Sequence, residues 1–337
     1  MPIEGEVTIR SRSGVAHLAA LPWLSAMLLL ACSIGCSHVA PGPEITGITG
    51  ETPKNRFAGG TFTEGPAVGE DGAVYFSDQA SSGSAGGPRG SIWRFDPMKD
   101  TATVVVDSSG MANGLEFDAD GTLLAAEGAD SGGRRVVRRD LSMGTVTVVA
   151  DVFGGRRFNS PNDLVVDRAG TIYFSDPRYR GEEPIDQPVS GVYRVYPTGK
   201  VDLVVDQLIR PNGLALSPDH RVLYVAEDNY LSSDPALRTR ILAYDLGLDG
   251  SVAFRSSLYD FSAEGSPDGI AVDHEGFIYV AVYELKAISV HYSDGRKRGL
   301  IRLPESPTNV AFGRGASARV LYITAGGGLY SVDLGAP

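Results

Sequence analysis

Cysteine is nearly absent: the 337-residue chain has two, Cys32 and Cys36, and none follows them. A disulfide framework, a thiolate-ligated zinc or iron–sulfur centre and a cysteine nucleophile are therefore excluded from the chain beyond residue 36. Histidine is scarce, with five residues in all. No Gly-x-Ser-x-Gly elbow occurs and no histidine is placed for a Ser-His-Asp arrangement, which disfavours serine-hydrolase chemistry. There is no run rich in Lys and Arg, and 30 basic against 41 acidic residues leave a formal charge of -11. A nucleic-acid binder needs a basic stripe to neutralise phosphates, so that partner class is set aside. After the leader no segment repeats its apolar residues every 3.6 positions, so long amphipathic helices are not expected. What is plentiful is glycine, at 42 residues, well above the usual share of about 7%.

The N-terminal region reads as an address. Arg10 and Arg12 precede a mostly apolar stretch from Val15 to Ala31, interrupted by His17 and Pro22. That pattern fits a secretory signal better than a membrane span, which needs about 20 apolar residues. Leu29-Leu30-Ala31-Cys32 resembles the lipobox of bacterial lipoproteins, with Cys36 as a second candidate for acylation. Residues 1–36 are thus expected to be a signal peptide with lipobox, and 37–53 a flexible tether rich in Pro, Gly and Thr. An exported lipoprotein attached to a membrane through Cys32, facing the periplasm or cell exterior, is the expectation; a soluble secreted or periplasmic protein is the alternative.

One phrase recurs six times in the remainder, at intervals of roughly 40 to 56 residues. It begins at Glu64-Gly65-Pro66, Asn113-Gly114-Leu115, Asn162-Asp163-Leu164, Asn212-Gly213-Leu214, Asp268-Gly269-Ile270 and Thr308-Asn309-Val310. A polar turn and a second β-rich run follow each phrase, as in Asp71-Gly72 before Val74-Tyr75-Phe76. Short apolar runs joined by glycine-containing turns read as hairpins. Six units of this length, each with four strands, predict an all-β six-bladed β-propeller over residues 54–337. After Ser331-Val332-Asp333-Leu334 the sixth unit has only three strands of its own. Its fourth is expected from the N-terminal side, around Asn55 to Phe62, closing the ring.

In a propeller the innermost strand of every blade starts at the same rim of the central channel. Glu64, Asn113, Asn162, Asn212, Asp268 and Thr308 are therefore expected to converge, and all six carry oxygen. Asn-Gly and Asp-Gly also suit turns, but these dipeptides precede strands, and the hairpin turns have polar residues of their own. Oxygen donors suit a hard dication such as calcium, which takes 6–8 of them. Glu64 and Asp268 would neutralise the charge, while Asn162 and Asn212 add neutral oxygens. With no Cys or His among the six, tetrahedral zinc is disfavoured. One divalent ion is expected, calcium first, with zinc, magnesium or manganese as alternatives.

Several longer phrases are similar to those of the SMP-30/gluconolactonase/LRE family. They include Phe158-Asn159-Ser160-Pro161-Asn162-Asp163-Leu164, Ile172-Tyr173-Phe174-Ser175-Asp176-Pro177, Arg210-Pro211-Asn212-Gly213-Leu214-Ala215 and Pro267-Asp268-Gly269-Ile270-Ala271-Val272. The resemblance covers about residues 57–334. It implies a six-bladed propeller with a channel metal held by Glu64, Asn162, Asn212 and Asp268, and Asp268 as the general base of lactone hydrolysis. The Arg-x-Asn substrate pair of the vertebrate branch does not transfer, because Arg157 precedes Asn159 and not the aligned Asn162. The expected partner is a small-molecule lactone, with Asn113, Glu127, Asp176 and Tyr179 as substrate-contacting candidates. Phosphotriester or other ester hydrolysis at the same site, and a non-catalytic calcium- or ligand-binding envelope propeller, are the alternatives.

Overall fold

Short apolar runs, broken every few residues by Asp-Gly and other glycine-containing turns, leave the backbone one economical way to satisfy its hydrogen bonds: repeated antiparallel ladders. The structure is a computed structural model that describes residues 52–79, 90–230, 232–234 and 236–335. The leader, both cysteines and residues 37–51 lie outside the described residues.

Six four-stranded antiparallel sheets form a six-bladed β-propeller. The innermost strands are Thr63–Val68, Ala112–Phe117, Leu164–Val166, Pro211–Leu216, Pro267–Val272 and Pro307–Phe312. Each pairs with the second strand of its own blade, and the fourth strand faces outward. The sole helical element among the described residues is a 3-10 turn, Gly315–Ser317, and no helix there is long and apolar enough to cross a membrane.

The sixth sheet has the order expected for ring closure. Lys54–Phe57 pairs with Gly328–Asp333, the last strand of the chain, and so completes a blade otherwise built from C-terminal residues. This closing strand is shorter than the sequence suggests: it ends at Phe57, and the chain bends at Thr61 and Phe62 to enter blade one. Phe57 anchors it, with its ring 4.6 Å from that of Trp93 and 5.3 Å from that of Phe76.

The core lies between blades. Val68, Val74, Phe76 and Phe95 of blade one pack with Tyr322 and Leu329 of blade six, while Leu124, Ala126 and Val136 of blade two pack with Phe158, Leu164 and Phe174 of blade three. Each sheet thus buries both faces against its neighbours, which is why the second strands are wholly buried, Ile278–Val282 being one example.

A candidate metal and catalytic pocket on the channel axis

The inner strands approach one another so closely that their glycines act as spacers. A Cβ on Gly65 would lie 2.1 Å from the Asn113 carbonyl oxygen, and one on Gly269 would lie 2.0 Å from Asn309 Oδ1. The glycine of the repeated phrase is therefore a close-approach residue at the ring axis, and turn chemistry does not explain it. Blades three and six carry Asp163 and Asn309 at this position, and their side chains fill the axis. Asp163 accepts from the Leu164 and Leu214 amides at 2.9 and 3.0 Å, and Asn309 Oδ1 accepts from Val310 N at 2.7 Å.

Just above this plug lies a cavity of about 270 Å³, lined by Glu64, Asn113, Asn162, Asn212 and Asp268. Four of these five are the second residue of their strand, one position further in than the sequence suggested. After each the ladder register breaks, between Glu64 and Ala67, Ala112 and Leu115, Pro211 and Leu214, and Pro267 and Ile270. Such bulges bend a strand and re-aim its side chains. The sixth position departs from expectation. Thr308 is fully buried within hydrogen-bond reach of the Thr63 carbonyl at 2.7 Å and of Thr324 Oγ1 at 2.9 Å, so it ties blade six to blade one and does not line the pocket. A second axial cavity, about 340 Å³, opens at the far end of the inner strands among Val68, Val166, Leu216, Val272 and Phe312. It is larger but contains none of the five convergent residues, so the chemistry belongs to the first.

Without a bound cation, burial and crowding shift the pocket acids toward their neutral form. Glu64 is pushed up to about 8, first by desolvation and then by the Asp163 carboxylate. Asp268 is raised well above the usual carboxylate range by desolvation, followed by Glu64, Asp228 and Asp163. Asp163 itself is raised to about 7, mainly by burial. Among the described residues no Lys or Arg forms an ion pair with Glu64 or Asp268. Two buried acids with no ion-pair partner among the described residues, flanked by the neutral amides of Asn162 and Asn212, form an all-oxygen donor set that fits a hard dication.

Two of the expected substrate contacts require correction. Glu127 is wholly buried, with one carboxylate oxygen 2.6 Å from Arg139 Nη2 and the other 2.7 Å from Arg135 Nε. Asp176 accepts from the amides of Asn159 and Ser160 at 2.8 and 2.6 Å. Neither lines the pocket. Glu127 is spent on the two arginines of the adjoining strand, while Asp176 belongs to a device used in several blades, in which a carboxylate at or just beyond the end of a second strand captures the segment entering the inner strand. Asp78 holds the amides of Thr61 and Phe62, Asp176 holds those ahead of Asn162, and Glu284 accepts from Ser266 N at 2.6 Å, ahead of Asp268. Asp176 thus supports the backbone that presents Asn162, without facing the cavity.

Tyr179 does line the cavity, together with four residues the sequence reading did not single out: Phe62, Arg180, Asp228 and Glu284. Tyr179, Arg180, Asp228 and Glu284 sit one to four residues beyond their second strands, in the loops at the pocket mouth. That repeat-equivalent location was the available signal, and it was applied a few residues too early.

A six-bladed propeller carrying an acidic, oxygen-lined pocket where its inner strands converge defines the class. A family model described as the SMP-30/Gluconolactonase/LRE-like region matches residues 128–327, and the chain belongs to that family. The chain is 35% identical to the gluconolactonase of Zymomonas mobilis subsp. mobilis over 229 residues, 64% of this chain and 60% of that protein's length. It is 29% identical to pentonolactonase XacC of Haloferax volcanii over 249 residues, 71% of this chain and 75% of that protein. A solved Xanthomonas campestris structure described as a gluconolactonase superposes with a TM-score of 0.71 at 29% identity, covering 82% of this chain and 87% of that one.

Proposed function

We propose that this protein is a divalent-cation-dependent lactonase that opens a sugar-type lactone, with gluconolactonase-like specificity. The observation that carries the reading is the pairing of Glu64 and Asp268, two acids with no ion-pair partner among the described residues, with Asn162 and Asn212 around one cavity. Relatives named gluconolactonase and pentonolactonase support a sugar lactone as the substrate class.

Glu64, Asn162, Asn212 and Asp268 would hold the dication, with calcium the ion best matched to oxygen-only donors. When bound, that ion supplies positive charge for the lactone carbonyl oxygen as it becomes anionic. The remaining steps belong to the chain. Asn113 orients the substrate through its side-chain amide. Asp268 accepts a proton from the water that attacks the carbonyl carbon, and the carbon–oxygen bond of the ring then breaks. The ring oxygen leaves as the new hydroxyl, protonated by the acid form of Asp268, which regenerates the carboxylate. Tyr179 walls the pocket. The N-terminal leader is read as exporting the protein and anchoring it through Cys32, which mass spectrometry of the mature N-terminus would test.

Asp268→Asn keeps an oxygen at the site and removes the base. Turnover of glucono-1,5-lactone is expected to fall by about 100-fold or more, with calcium binding retained by calorimetry. Near-normal turnover would reject the role of Asp268. No hydrolysis of sugar lactones, an acyl-homoserine lactone or a phosphotriester by calcium-loaded wild type would replace the enzyme reading with that of a cation-binding propeller.

A further inference from the structure

Arg180 is the one cationic side chain among the described residues that line the pocket. Its guanidinium carbon lies 4.9 Å from the centre of the Phe62 ring, and it has no hydrogen-bond or ion-pair partner among the described residues. Arg210 also stacks, on Tyr179, but does not line the cavity; other arginines nearby are used differently. Arg134, Arg135, Arg139 and Arg240 all pair with carboxylates. An arginine fixed by stacking, with its donors unspent at the edge of a binding cavity, is poised to meet a ligand.

Its placement is not accidental to a loose loop. Two residues earlier, Arg178 donates to the carbonyls of Asn159 at 2.8 Å and Glu183 at 2.8 Å. The Glu183 carboxylate in turn accepts from Ser131 N at 2.7 Å, and Asn159 Oδ1 from Gln187 N at 3.0 Å. The 177–189 segment of blade three is thereby braced to blade two, and Arg180 is carried across the mouth to the Phe62 ring of blade one. The acidic wall, Asp228 and Glu284, belongs to blades four and five. Arg180 faces that wall from the blade-one side, within electrostatic reach of Glu64 but with no hydrogen bond or ion pair to it.

We infer that Arg180 forms an anion-recognising subsite and that the substrate is a lactone bearing a second, negatively charged substituent, a carboxylate or a phosphate, away from the reacting carbonyl. This rests on the lactonase reading and narrows it. With the lactone carbonyl beside Asp268, the substituent extends toward blades one to three, where the guanidinium offers a forked pair of donors.

Three lactones test it with the calcium-loaded full chain: neutral D-glucono-1,5-lactone, carboxylated D-glucaro-1,4-lactone and 6-phospho-D-glucono-1,5-lactone. Wild type is expected to prefer one charged lactone, which identifies the anion. Arg180→Gln should lower the charged-to-neutral ratio of kcat/KM at least about tenfold, chiefly through KM, and Arg180→Lys should restore part of it. Arg255→Ala, on an outer strand where Arg255 pairs with Asp245, should leave the ratio unchanged. A preference of wild type for the neutral lactone, or a ratio unmoved by Arg180→Gln, would overturn the inference. Calorimetric binding of D-glucarate, 6-phosphogluconate and D-gluconate keeps the subsite testable apart from catalysis. If no lactone is opened, the lactonase reading fails; Arg180-dependent binding of a doubly charged acid would still uphold the subsite, and indifferent binding would overturn it.

Discussion

Removing the cation should make this protein less stable as the solution becomes more alkaline, the reverse of what salt-bridged carboxylates do. Glu64 ionises near 8 in the fold, against an ordinary value of 4.5. The folded chain therefore holds a proton that the unfolded chain has released, throughout the interval between those values. Where the native state binds more protons than the unfolded state, unfolding free energy falls with rising pH. The loss begins near the unfolded value and is complete above the folded one. For Glu64 alone the ceiling is about 5 kcal/mol, and water entering the open pocket reduces it, so about half is a realistic expectation. At about 2 °C per kcal/mol for a domain of this size, Tm of the chelated protein should drop by about 5 °C between about pH 5 and pH 8.5. Asp163 and Asp176, each raised to about 7, act in the same direction. Saturating calcium should remove most of the slope, because the dication replaces the protons and releases them to the buffer. Differential scanning calorimetry of chelated and calcium-loaded protein measures this directly, and Glu64→Gln should flatten the chelated profile. A chelated Tm that stays level or rises across the window, or an unchanged slope in Glu64→Gln, would refute the electrostatic account of the site.

Two further outcomes separate the scaffold from the site. Phe57→Ala, which strips the ring that seats the closing strand against Phe76 and Trp93, should cost about 2 kcal/mol, a little below the range for a fully buried phenylalanine. The urea midpoint should fall in one cooperative transition, and a shift below about 0.5 kcal/mol would show that closure does not depend on this contact. Glu127→Ala leaves the buried Arg139 without its carboxylate partner and should cost about 3 kcal/mol or more. Its KM for the lactone should nevertheless stay within about twofold of wild type in the folded protein; a selective rise in KM would return Glu127 to the substrate site.

The repeated phrase and its spacing determine the architecture, because blade formation is a local affair. Each four-stranded unit is written in consecutive residues, as short apolar runs joined by glycine-containing turns, and the missing strand of the sixth unit points back to the N-terminus. Convergence of Glu64, Asn113, Asn162, Asn212 and Asp268 follows from the same symmetry. What symmetry cannot carry is the difference between equivalent positions. Thr308 occupies a leading position, yet its hydroxyl finds Thr63 and Thr324 before it can reach the cavity. Asp163 and Asn309 replace glycine and plug the axis, a consequence of how closely six strands meet and of nothing local.

Tertiary packing also decides which acids are structural. Asp176 and Glu127 are acids of the right type in nearly the right place, but their fate rests on amides seventeen and sixteen residues away and on arginines of the adjoining strand. The pocket wall is the least legible part. Arg180 and Asp228 lie just beyond second strands in loops whose lengths differ from blade to blade, and the placement of Arg180 depends on long-range braces such as Arg178 with Asn159 and Glu183 with Ser131. Sequence by itself therefore determined the ring and the oxygen-rich centre, since both derive from short-range periodicity. Only the tertiary structure decided the rim that would choose the substrate, because irregular loops take their shape from partners that lie far away along the chain.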